Sequence, residues 1–173
     1  MAKKIKMNNV RLSFPSLFKT AFFGGEDTNK YEATFILDKV EHKKAIREIE
    51  EQIDGLTKES FKGKSLPDDR VCLKDGDDQE RPELEGKMTI KAATKKRPLV
   101  IDRDRTPIVE EDDRVYPGCY VNAIISLWGQ DNQWGKRINA SLEGVQFYRD
   151  AERFGEAGIS VDEFEPIDDD DDI

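Results

Sequence analysis

The sequence predicts a mostly β domain, with short antiparallel strands forming a small barrel or sandwich and one helix between the early strands. Three observations carry this. Apolar and polar residues alternate with period two in several segments. One early stretch, residues 38–55, switches to helical spacing. The length, 173 residues, suits one domain with some extra loop or tail.

Taken in order, "KIKMNNVRLSF" (4–14) reads as a strand of apolar and basic residues, ending at Pro15. Residues 15–30 read as a loop or short helical turn followed by a turn at Gly24-Gly25. Their phenylalanines, with Phe14, are expected as core or loop anchors. "YEATFILD" (31–38) alternates Tyr31, Ala33, Phe35 and Leu37, a second strand. Asp38 and Glu41 resemble a capping box. Ile46, Ile49 and Ile53 then share a helical face, with Gly55 as the expected C-cap. His42, the chain's one histidine, falls on that face and reads as a packing or surface residue. A second short helix is expected over 57–62.

Residues 63–86 read as an acidic loop carrying a short strand at "RVCL" (70–73). "KMTIKAAT" (87–94) is a strand with Met88, Ile90 and Ala92 on one face and Lys87, Thr89, Lys91, Ala93 and Lys95 on the other. "PLVID" (98–102) is another, and residues 103–118 form a loop. The strongest β pattern is "CYVNAIISLW" (119–128). Cys119, Val121, Ala123, Ile125 and Leu127 make an apolar face, opposite Tyr120, Asn122, Ile124, Ser126 and Trp128. "GQDNQWGK" (129–136) is the turn, and "RINASLEGVQFYR" (137–149) is the return strand with Gly144 as a bulge.

The net charge of −9 hides a division. From Asp150 onward there are eleven Asp/Glu and one Arg, about −10, so residues 1–149 sum to about +1. A near-neutral body with clustered Lys and Arg, joined to an acidic tail, is a pattern of nucleic-acid binders. "MAKKIKMNNV" has lysines but no apolar run after them, so no secretory signal is expected, and no stretch suits a membrane span. Cys72 and Cys119 are expected as free thiols in a reducing cytosol, where the sequon at Asn139 has no meaning.

Catalytic and metal patterns fail on spacing. A calcium loop starting at Asp75 would need Gly at position 80 and Glu at 86, where the chain has Glu80 and Gly86. Between Gly129 and Gly135 the spacing is one residue too long for a phosphate loop, and Arg137 stands where Ser or Thr should be. A single histidine supports no nucleophilic triad. No cofactor is expected.

The basic and aromatic pattern says more. Lys87, Lys91 and Lys95 share a strand face, and Lys96 and Arg97 extend it. Trp134 sits in a polar turn where burial is difficult. Tyr120 and Trp128 lie opposite an apolar face, either completing the core or stacking on a ligand. Cations tracking phosphates beside exposed rings are what an unpaired strand needs.

"RLSFPSLFK" (11–19), "YEATFILDK" (31–39), "VYPGCYVNAIISLW" (115–128) and "GKRINASLEGVQFYRDAERFG" (135–155), in that order, resemble a tailed-phage family of single-stranded-DNA-binding proteins of the OB-fold type, long catalogued as a domain of unknown function. The resemblance covers most of residues 5–155. It implies a five-stranded OB barrel, sequence-tolerant binding of single-stranded DNA, and an acidic C-terminus that contacts replication and recombination proteins. Residues 129–136 then match the loop between the last two barrel strands, a usual ligand loop. Many such tails end in an aromatic beside the acids; here Ile173 is last and Phe164 lies upstream.

The resulting expectation is a non-enzymatic OB-fold domain over 1–155, with a helix between early strands and long loops, and a disordered acidic tail over 156–173. Lys87, Lys91, Lys95, Lys96, Arg97, Arg103, Arg105 and Arg137 would meet phosphates, and Tyr120, Trp128 and Trp134 would stack on bases. Phe164, Asp168, Asp169, Asp170, Asp171, Asp172 and Ile173 would engage partners or compete with DNA for the groove. The setting would be the cytoplasm of an infected bacterium, the protein a monomer or homodimer with no membrane contact. Two other readings remain open: an acidic interaction module or DNA mimic, and a metal-dependent nuclease using Asp112 and Asp113.

Overall fold

The computed structural model describes residues 4–79, 81–154 and 166–167. Its strands are β1 (Lys4–Ser16), β2 (Phe22–Phe23), β3 (Glu26–Asp27), β4 (Tyr31–Asp38), β5 (Leu73–Asp75), β6 (Lys87–Thr94), β7 (Leu99–Ile101), β8 (Tyr120–Asn132) and β9 (Gly135–Arg149). Its helix, α1 (Lys43–Phe61), lies between β4 and β6. Five strands close a barrel in the order β1-β4-β6-β9-β8, returning to β1. Every pairing in that circuit is antiparallel except β6–β9, where Ala92 faces Ala140 and Ala93 faces Ser141. Mostly β, with a five-stranded barrel and a helix between early strands, is the architecture the sequence implied.

Closure needs sharp bends, and β1 supplies two. Its first part pairs with β8 and its last part with β4, with register shifts between Met7 and Val10 and between Ser13 and Ser16. Asn9 and Phe14 sit at those shifts with positive φ, 56° and 46°. Asn9 tolerates this well, and its N–H donates to Asn122 Oδ1 at 2.9 Å. Bulges of this kind re-aim side chains at barrel corners.

The alternation read from the sequence holds. Cys119, just before β8, and Val121, Ala123, Ile125 and Leu127 on β8 are buried, as are Ala33, Phe35 and Leu37 on β4. They meet Ile5, Met7, Leu12, Ile90, Leu142 and Val145 in one core. Between β8 and β9 the register slips as Ile124 faces Gly144 and Ile125 faces Leu142, so Glu143 is the extra residue beside the expected bulge glycine.

Helix α1 covers one end of the barrel with Ile46, Ile49 and Phe61 buried. It does not stop at Gly55. Leu56 and Phe61 continue the apolar face, and one interior glycine costs only about 1 kcal/mol. The expected second helix over 57–62 is the last turn of the first, closed at Lys62 in a left-handed conformation. His42 ties the helix entry to β1. Its Nδ1 accepts from the Asp38 N–H at 2.9 Å, which leaves Nε2–H to donate to the carbonyls of Asn8 and Asn9.

The acidic segment after α1 is pinned rather than loose. Val71 bridges Ile138, and β5 pairs with β6. Lys39 Nζ lies 2.6 Å from both Asp75 Oδ1 and Asp77 Oδ2, and Lys87 Nζ lies 2.6 Å from Asp38 Oδ2. Hydrogen bonds from Lys39 hold Asp75 and Asp77 below the ordinary aspartate range, and one from Lys87 does the same for Asp38. A depressed carboxylate stabilises the fold above its unfolded pKa and loses that contribution as pH falls through the folded value. Thermal melts should therefore drop in Tm as pH falls below about 4. In Lys39→Met the drop should be shallower. Equal slopes would mean the pairs contribute nothing.

The small hairpin β2–β3 replaces the expected loop at residues 15–30. Phe22 faces Asp27 and Phe23 faces Glu26 across the Gly24-Gly25 turn. Among the described residues, no helix is long and apolar enough to cross a membrane.

Candidate functional site

The outward residues of β4, β6, β9 and β8 form the floor of a long open cleft of about 1760 Å³. Register explains why they share it. Thr34 faces Lys91, Glu32 faces Ala93, Ala93 faces Ser141, and Asn139 faces Trp128. The volume exceeds the roughly 300–1,000 Å³ of small-molecule pockets, and the lining crosses the sheet from β1 to β8, an extent that suits a polymer.

One wall is the β8–β9 hairpin. The strands run to Asn132 and Gly135, so the turn is only Gln133 and Trp134, shorter than the sequence suggested. Asn132 Oδ1 accepts from the Trp134 N–H at 2.9 Å, and Gly135 takes φ 107°. This fixes Trp134 with 74% of its surface exposed, and Trp128, on the same strand pair, with 42%. The opposite wall comes from β1 and the β2–β3 hairpin, with Phe14 at 68% and Phe22 at 69%.

The lining is cationic. Lys30, Arg70, Lys74, Arg81, Lys91, Lys95 and Arg137 face it, against only three carboxylates, Glu32, Asp69 and Glu83. Lys91 pairs with Glu32 at 3.3 Å and Arg81 with Glu83 at 2.9 Å. Among the described residues the other five cations have no ion-pair partner. Cys72 also lines the cleft, but burial pushes its thiol up to about 12, so it offers no thiolate near neutrality.

Of the residues expected to meet DNA, the structure brings Lys91, Lys95, Trp128, Trp134 and Arg137 into this cleft. It places the others elsewhere. Lys87 is neutralised by Asp38, its cross-strand neighbour. Tyr120 has the Arg149 guanidinium 3.8 Å from its ring centroid, which occupies the face a base would need. Arg103 donates to the Tyr148 carbonyl and lies over that ring. Arg97 lies 6.0 Å from the Phe18 ring. Lys96 and Arg105 are exposed outside the cleft. Phe164, Asp168–Asp172 and Ile173 lie outside the described residues.

Phe14, Phe22, Lys30, Arg70, Lys74 and Arg81 were missed. The expectation that the early phenylalanines anchor core or loop holds for Phe18 and fails for Phe14, Phe22 and Phe23, all exposed. Asp112 and Asp113, named for the nuclease reading, make local contacts. Asp112 accepts from the Val109 N–H, and Asp113 faces Arg153.

A family model described as Enterobacter phage Enc34, ssDNA-binding protein, matches residues 3–173. The chain is 41% identical over 174 residues to protein p50 of Acyrthosiphon pisum secondary endosymbiont phage 1, covering 95% of this chain and 94% of p50. In structure it resembles the single-stranded DNA-binding protein from bacteriophage Enc34 in complex with ssDNA, with TM-score 0.78 and 35% identity over 88% of this chain and 89% of that one. A single-stranded DNA binding protein of bacteriophage T7, gp2.5, shares the fold at TM-score 0.59 and 16% identity, with 91% and 92% of the two chains covered.

Proposed function

Since the chain belongs to the family of the Enterobacter phage Enc34 ssDNA-binding protein, we propose that it binds single-stranded DNA along the cationic cleft, tolerant of sequence and without catalysis. It would coat exposed strands during phage DNA replication, recombination and repair in the cytoplasm of the host. The observation that carries this is the pairing of exposed Trp128 and Trp134 with an excess of cations along one sheet face. An unpaired strand presents base faces to stack, each worth roughly 1–3 kcal/mol, and phosphates to neutralise.

The test is tryptophan fluorescence during titration with a single-stranded oligonucleotide and its duplex, at two salt concentrations. Quenching by the single strand, weakened by salt and much smaller with duplex, is expected. Silence toward both would favour the acidic interaction-module reading, whose working surface is the tail.

The tail would compete with DNA for the cleft and, once displaced, recruit replication or recombination proteins. Phe154, two residues before the tail, lines the cleft edge beside Pro117, which supports this reading. Charge attraction fades over a Debye length of about 8–10 Å near physiological salt, so the effect should be strongest at low salt. Deleting residues 162–173 removes eight carboxylates and should tighten single-strand binding there. Unchanged affinity would remove the tail from the cleft.

A further inference from the structure

We propose that Phe14 and Phe22, with Lys30 and Lys95, form a second base-and-phosphate station at the end of the cleft opposite Trp128 and Trp134. Only strands long enough to reach both ends engage it. The inference rests on the cleft being the DNA site.

The first observation is a conflict at Phe14. Its φ of 46° is in the left-handed region, unusual for an aromatic residue, and the following Pro15 disfavours helical conformations of its predecessor further. Such strain is tolerated when something gains from it. Burial is not the gain, because the ring is 68% exposed and faces the cleft. The bulge between Ser13 and Ser16 aims it there.

The second observation is Phe22, carried on the β2–β3 hairpin. The hairpin root is fixed, with the Ala21 N–H donating to the Lys30 carbonyl at 2.8 Å and the Thr28 N–H to the Ala21 carbonyl at 2.8 Å. Thr28 Oγ1 donates to that same Ala21 carbonyl. So the exposed ring stands on an anchored arm. The third is charge. Tyr31 faces Thr94 across β4–β6, which brings Lys30 and Lys95 to the same end of the cleft, and among the described residues neither has an ion-pair partner. Two exposed rings beside two unpaired cations repeat the chemistry of the tryptophan end.

The two stations are separated by the floor. Although β1 and β8 pair directly, Phe14 lies on the part of β1 that pairs with β4, and Trp128 lies past the last β1–β8 pair at Ser126. The route between them over the floor therefore runs β1-β4-β6-β9-β8, four inter-strand steps of about 4.8 Å or an arc of roughly 19 Å. That is several nucleotides of extended strand, within the range of about 4–16 nucleotides for one OB domain.

The experiment is an affinity series with oligothymidylates from two to twelve nucleotides, using the full chain, Phe14→Gly, Phe22→Ser and Trp134→Ala. Wild-type affinity should rise stepwise, about tenfold or more, at the length that first spans both ends. Phe14→Gly and Phe22→Ser should lose most of that step and bind the shortest oligonucleotides as wild type does. Trp134→Ala should weaken every length. Because glycine suits φ 46°, Phe14→Gly should melt no lower than wild type, which separates the loss from misfolding. The proposal is overturned if both phenylalanine variants keep the step, or if wild type shows none. If wild type binds no single strand at any length, the cleft reading itself fails, and this station with it.

Discussion

Replacing both Trp128 and Trp134 with alanine should weaken single-stranded DNA binding at least about 30-fold, because two lost stacks at roughly 1 kcal/mol or more each give that factor. Stability should change little. Trp134 is 74% exposed at a hairpin tip, and Trp128 sits on the outer face of β8, so neither fills the core. Equilibrium titration beside calorimetric melting would separate the two effects. If affinity stays within threefold of wild type, the rings are not stacking platforms. If affinity and Tm fall together, the tryptophans are structural.

The fold was legible because period two survives wherever one face of a strand is buried. The five apolar positions from Cys119, at the entry to β8, to Leu127 are all buried, and on β4 Ala33, Phe35 and Leu37 are buried with Tyr31 half-buried at the strand's start. What misled was local punctuation. Gly55 looked like a stop, yet tertiary burial of Phe61 carries the helix past it. The polar run 129–136 looked like a long turn, yet Asn132 and Gly135 pair, and the loop shrinks to two residues.

The site was legible only in part, for a reason of register. A strand's face can be read from its own sequence, but its partners cannot. Lys87 and Lys91 share one face of β6, and both meet acids of β4, Asp38 and Glu32. Lys87 is held at 2.6 Å at the strand's start, while Lys91 stays within the cleft. Tyr120 loses its free face to Arg149, placed there by the β8–β9 pairing. Arg70, Lys74 and Arg81 were hidden by the acids around them in residues 63–86, because composition averages what the fold separates. The phenylalanines had a usable signal: "FFGG" is two apolar residues entering a glycine turn, where a two-residue hairpin arm has no core to reach.

Reversing two cleft charges should have a different signature from removing the rings. Arg70 and Arg137 lie at the Trp134 end, with an Arg70 nitrogen packed against Gly135 and Arg137 donating to the Asp69 carbonyl at 3.4 Å. In Arg70→Glu with Arg137→Glu, seven cations against three carboxylates become five against five, and the cleft loses its net charge. Affinity near physiological salt should fall about 100-fold or more. Single-strand binding depends on salt with a log–log slope of about −0.7 per phosphate neutralised. Losing two contacts should therefore make the slope shallower by about 1.4. The double tryptophan variant should instead shift affinity at every salt concentration by the same factor, because stacking releases no counterions. Measuring both variants across 50–300 mM salt would assign each half of the site to its own physics. A charge-reversed protein with the wild-type slope would place the phosphates elsewhere. A tryptophan variant with a shallower slope would mean that the rings act by positioning Arg70 and Arg137 rather than by stacking.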